Sequence, residues 1–144
     1  MSKTKLVVGG VVLIFSATVA LAAAHFLQCS KSQNGNNLVV SFREAGLGNG
    51  DVNITVSGTA EAHYACYNHG GKNPAAANKR TISAQVTSSS TFEPKNGSVR
   101  GSLTLTPPGP GSFSCPNGQV LRLDSVTYSG VTVTDTTNDV SCSP

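Results

Sequence analysis

The residues from Val52 to Tyr67, VNITVSGTAEAHYACY, alternate in character along their whole length. One parity holds Val52, Ile54, Val56, Gly58, Ala60, Ala62, Tyr64 and Cys66. The other holds Asn53, Thr55, Ser57, Thr59, Glu61, His63, Ala65 and Tyr67. Successive side chains of a strand point to opposite faces of a sheet, so this period of two predicts one buried and one solvated face. At about 3.3 Å per residue the run would reach roughly 50 Å, long for a strand of a small domain. A bend is therefore expected, most naturally at Gly58, where a missing side chain permits a bulge or a sheet corner.

Upstream, Lys3 and Lys5 precede an uncharged apolar run from Leu6 to Ala24 that closes on small residues. A basic start, an apolar centre and alanines at the cleavage position describe a secretory signal over residues 1–24. An uncleaved anchor is the competing expectation, since the run approaches bilayer-spanning length. Cleavage after Ala24 leaves residues 25–144 as one domain with no membrane segment. Of the ten basic residues two belong to the signal, leaving eight against seven acidic ones. Such a balance, with the arginines scattered, argues against a nucleic-acid partner.

The remaining pattern is all β. Strands are expected over Leu38–Arg43, Val52–Tyr67, Thr81–Thr87 and Ser98–Thr106, separated by Gly, Asn and Pro clusters. Asn96-Gly97 is a hairpin signal, and Ala75–Asn78 is read as a helical turn. Pro107-Pro108-Gly109-Pro110-Gly111 can only be a loop, because proline has no N–H to give a ladder. Beyond Gln119 the inward parity switches twice, which requires breaks near Asp124-Ser125 and Ser129-Gly130 and predicts two or three short strands there. The sum is about seven strands in an antiparallel, immunoglobulin-like β-sandwich.

Four cysteines, Cys29, Cys66, Cys115 and Cys142, follow the signal. An even number in an exported chain points to disulfides, and three pairings are open. Cys66 with Cys115, and Cys29 with Cys142, is the favoured set: the first would tie the long strand to the Pro/Gly loop and the second would join the two tails. No two cysteines stand close enough together for an ordinary structural zinc site.

The segments Phe42-Arg43-Glu44-Ala45-Gly46-Leu47-Gly48, Tyr64-Ala65-Cys66, Gly70-Gly71, Ala76-Ala77-Asn78-Lys79, Pro107 to Gly111 and Ser114-Cys115-Pro116-Asn117-Gly118-Gln119 together resemble a family of small secreted proteins of bacteria and fungi. The resemblance covers most of the chain after the signal. It implies export and a compact domain, brings no catalytic residues, and favours the Cys66 to Cys115 pairing, since both cysteines lie in the similar segments.

Catalytic motifs are absent: there is no G-x-S-x-G, no H-E-x-x-H and no phosphate-binding glycine loop. Glu44 and Glu61 could form a carboxylate pair of the glycosidase kind, but both read as solvated strand residues. A small hydrolase built on one of the many hydroxyls with His63 or His69 is a minor alternative. The leading expectation is a secreted, monomeric, non-enzymatic module that binds an extracellular glycan or protein through loops on a rigid scaffold. Its candidate contacts are Tyr67, Asn68, His69, Lys72, Asn73, Lys79 and Arg80. A different class is a copper protein: cleavage after Ala24 would give His25 both an α-amino and an imidazole nitrogen, and His63 would complete a three-nitrogen site suited to Cu(II). In that residue alone the chain is similar to lytic polysaccharide monooxygenases and periplasmic copper carriers.

Overall fold

The computed structural model describes residues 22–73 and 78–144. The signal segment up to residue 21, and Ala75–Ala77 of the expected helical turn, lie outside them. Seven strands form: β1 (His25–Asn34), β2 (Asn37–Ala45), β3 (Val52–Tyr67), β4 (Lys79–Phe92), β5 (Ser98–Leu105), β6 (Val120–Asp135) and β7 (Val140–Cys142). They make two antiparallel sheets of order β1-β2-β5 and β4-β3-β6-β7. This is a β-sandwich with immunoglobulin-like order, except that the fourth strand pairs with the third rather than joining the first sheet as in constant-type domains.

The long alternating run is indeed β3, flanked by β4 and β6, with a bulge opposite Gly58. Register slips between Ser57 and Thr59, opposite Thr132 and Ser129, so β6 carries an extra residue beside Gly58. A Cβ there would lie 3.1 Å from Val131 Cγ2 and 3.2 Å from the Ser129 carbonyl, so a side chain at this position would press on both. A second slip between His63 and Tyr64 inserts Asp124. Both parity breaks expected beyond Gln119 are thus bulges within one strand; β6 runs unbroken, rather than as two or three short strands.

Two strands escaped the sequence reading. β1 lacks apolar alternation because it is a largely exposed edge strand whose register slips between Phe26 and Gln28. The tail segment β7 pairs only Val140–Cys142 with β6. β4 also runs on through the serine run to Phe92, hydrogen-bonded to β3 as far as Val52. The Asn96-Gly97 signal forms a two-residue turn with φ of 52° and 70°, closed by Lys95 and Ser98, although the strands it separates belong to different sheets.

The core has two parts. Between the sheets pack Val40, Phe42, Ile54, Val56, Val99, Leu105 and Val133. Further along β3, Ala60, Ala62, Tyr64 and Val126 form a second cluster, against which Phe113 of the Pro/Gly loop packs. Tyr64 donates a hydrogen bond to the Pro108 carbonyl at 2.8 Å. Cys66 and Cys115 are disulfide-bonded and hold that loop down. Cys29 and Cys142 form the second disulfide, joining edge strands β1 and β7 of opposite sheets.

The two bridges close loops of 113 and 49 residues, and each should stabilise the chain by on the order of 4 kcal/mol. Cys29→Ala with Cys142→Ala should lower the urea midpoint without opening the Pro/Gly loop. Cys66→Ala with Cys115→Ala should lower it comparably and also make residues 106–119 the first site of limited proteolysis. Equal protease resistance in the two variants would contradict the role given to that loop.

Candidate functional site

Three strands converge at the far end of the four-stranded sheet. The register sets His63 beside Thr81 and Ser125, Tyr64 beside Arg80, and Ala65 between Lys79 and Arg122. Asp124 is the inserted residue of the second bulge and shares the outward parity of Arg122, and the Tyr67 hydroxyl lies 2.9 Å from both Asp124 oxygens, donating to that carboxylate. The Arg122 guanidinium sits over the Tyr67 ring, 5.0 Å from its centroid. The hydrogen bond to Asp124, more than burial, pushes the phenol above its ordinary pKa. Tyr67 is therefore a half-exposed aromatic held from the edge and from one face, whereas Tyr64, on the opposite parity, is core.

Beside it lies a shallow cavity of about 200 Å3 lined by His63, Tyr64, Lys79, Arg80, Thr81 and Asp124. His63 Nδ1 shares a hydrogen bond with Thr81 Oγ1 at 2.9 Å, and its Nε2 lies 3.2 Å from Glu61 Oε1. A hydroxyl, an imidazole and a carboxylate in line are the components of a proton relay. Here the His63 and Glu61 side chains are 39% and 48% exposed, and water reaches the relay freely, so the arrangement lacks the enclosure that makes such charges effective.

Of the expected contacts, Tyr67, Lys79 and Arg80 come together at this end of the sheet. Asn68 has a different task. Its Oδ1 accepts from the Gly70 and Lys72 N–H groups at 3.1 and 3.0 Å, and its own N–H donates to the Lys72 carbonyl. That side chain organises the turn it belongs to. His69 and Lys72 are exposed on the turn and Asn73 is half-buried; none of the three lines the cavity. Arg122 and Asp124 were not anticipated. The parity break at Asp124-Ser125 marked the bulge, but no sequence signal said that the Asp124 carboxylate would meet Tyr67.

The structure does not bring His25 and His63 together. His25 opens β1 opposite Ala45, with Nδ1 2.8 Å from the Ala23 carbonyl, while His63 lies on the other sheet, roughly 35 Å of extended strand beyond Val52. Among the described residues no three His, Cys, Asp or Glu side chains group as metal ligands.

Glu44 and Glu61 are not a pair either. Glu61 is on the solvated face, whereas Glu44 follows Val40 and Phe42 on the inward parity of β2 and is fully buried, as is Asp135 of β6. The carboxylate facing Glu44 is Asp135. Asp135 accepts from the Thr137 and Asn138 N–H groups at 2.8 and 3.2 Å and from the Asn138 side-chain amide at 2.6 Å. Neither Glu44 oxygen meets a donor among the described residues, and two carboxylates can bond only through a proton. Burial first, and the Asp135 carboxyl second, push Glu44 up to about 7 from 4.5. Sealed from substrate, this pair is structural.

No family model matches the chain, and no curated protein or solved structure is significantly similar to it.

The folded state keeps the Glu44 proton up to about pH 7 while the unfolded chain releases it near 4.5. Stability from this group is thus full below 4.5 and lost as pH rises through 7. The melting temperature should fall by several degrees between about pH 5 and about pH 8. Glu44→Gln should flatten that slope and match or exceed the parent at the higher pH; an unchanged slope in the variant would refute the assignment.

Proposed function

We propose that the protein is an exported, non-enzymatic binding module that presents the Tyr67 end of its four-stranded sheet to an extracellular glycan or protein. The observation that carries this reading is the fixation of an accessible aromatic. Asp124 holds the Tyr67 hydroxyl and Arg122 covers one ring face, so little side-chain freedom is lost when a partner settles on it. Lys79, Arg80 and His63 supply donors around the adjoining cavity. Two disulfides accord with an oxidising compartment. The basic, apolar and small-residue order of residues 1–24 supports export.

Purified protein applied to an array of extracellular glycans and cell-surface extracts should give a restricted set of binders. Tyr67→Ala should weaken them by about tenfold or more, as an aromatic anchor does, and Asp124→Ala by less. His69→Ala should leave them unchanged. If Tyr67→Ala binds as the parent does, this end of the sheet is not the recognition surface. Turnover of any bound glycan or ester that is lost in His63→Ala would favour the hydrolase reading instead.

A further inference from the structure

At the other end of the molecule, on the outer face of the three-stranded sheet, Arg43 of β2 and Arg100 of β5 stand directly opposite each other in register. Both point outward because their neighbours Phe42, Glu44 and Val99 are buried. Like charges facing each other across an antiparallel pair repel and destabilise the sheet. Neither guanidinium forms a salt bridge among the described residues. The one ion pair there, His63 with Glu61, belongs to the other sheet. Lys95, on the turn before β5, adds a third cation to the same cavity, of about 640 Å3; the single acid lining it, Glu93, forms no salt bridge with any of the three.

Apart from Glu93, the outward neighbours of these cations are uncharged and rich in hydrogen-bonding groups. Gln28 of β1 continues the arginine row, and the next outward row is Ser30, Ser41 and Ser102. A second cavity of about 410 Å3, lined by Gln28, Ser41, Gly101 and Ser102, meets the first at Arg100. Gly101 shapes the floor. A Cβ there would come within 2.6 Å of the Phe92 ring, so glycine lets Phe92 tuck against Phe42, with ring centroids 5.2 Å apart. That ring packs edge-on against Phe42 while also lining the first cavity, and neither outward row carries an aromatic on which a base could stack.

We propose that this face binds an acidic polysaccharide: the guanidinium groups of Arg43 and Arg100, with Lys95, take a carboxylate, and the Gln28 and serine rows hydrogen-bond the hydroxyls of the adjoining sugars. Guanidinium forks match planar oxyanions, and a bound carboxylate turns the repulsion between the two arginines into shared attraction. Rows two residues apart on a strand lie about 6.7 Å from each other, so one extended chain touches both. The site is separate from the Tyr67 surface in sheet, end and chemistry.

The test is binding of the purified protein to polygalacturonate and to its methyl-esterified form, which keeps the chain and removes the charge. The acid form should bind, weakening as salt rises from about 50 to about 200 mM, and the ester should not. Arg43→Gln with Arg100→Gln should lose about tenfold or more in affinity. That variant should also melt at or above the parent temperature without polymer, because the cross-strand repulsion is gone. Glu93→Gln should bind more tightly. Lys79→Gln with Arg80→Gln, and Tyr67→Ala, should bind polygalacturonate as the parent does, which lets this site and the Tyr67 surface fail separately. Undiminished binding by the arginine variant would overturn the proposal. So would an equal loss in the Lys79 and Arg80 variant, equal binding of the ester, or tighter binding of single-stranded DNA.

Discussion

β3 is hydrogen-bonded along both edges, to β4 from Val52 to Ala65 and to β6 from Ile54 to Tyr67, and the other elements take their positions from it. Its inward parity supplies Val52, Ile54 and Val56 to the core between the sheets and Ala60, Ala62 and Tyr64 to the second cluster. Its outward parity supplies the polar face on which His63 and Tyr67 stand. A strand this long outruns the sheet facing it, since β5 ends at Leu105. The exposed inner face beyond must be covered by something other than a strand. The Pro/Gly loop does so, with Phe113 inserted, Tyr64 bonded to Pro108 and Cys66 bridged to Cys115. Prolines suit this task because they limit the freedom of a loop that has no ladder to fix it.

The bulges on β6 show how one strand can serve both sheet and site. Each extra residue resets the parity of the residues after it, which is why Leu121 and Leu123, then Val126 and Tyr128, then Val131 and Val133 can all face inward although their numbers do not share one parity. At Gly58 the bulge brings Val131 and the Ser129 carbonyl close to the glycine, and at Asp124 the inserted residue carries the carboxylate that the Tyr67 hydroxyl meets.

Much of this was legible in the residues because it derives from short-range rules. Period-two alternation gave β3 and its two faces, proline gave the loop, and the parity changes marked both bulges. The features that were not legible depend on partners distant in the chain. β1 has no pattern of its own, being an edge strand with a slipped register, and it exists because β2 offers it an edge to pair with. Asn68 reads as a free donor, yet its oxygen is occupied by the turn around it. Glu44 is where charge misleads most. Its place after Val40 and Phe42 puts it on the inward parity, although a carboxylate on a strand reads as solvated. Only the presence of Asp135 across the sandwich shows what faces it there.

The treatment of charge separates core from surface in a consistent way. Inside, the Glu44 and Asp135 pair remains compatible with burial because one member accepts three hydrogen bonds from the β6–β7 turn and the other can stay protonated. The stability that such a buried carboxyl contributes is present only while it is protonated, and is lost as pH rises through about 7. Outside, Arg43 and Arg100 form no salt bridge among the described residues. An exposed strand pair that needed only solubility would be more stable with one arginine replaced by threonine or by an acid. Keeping both guanidinium groups in register therefore makes physical sense when an external anion completes the set, and the serine rows beside them define what else that anion must carry.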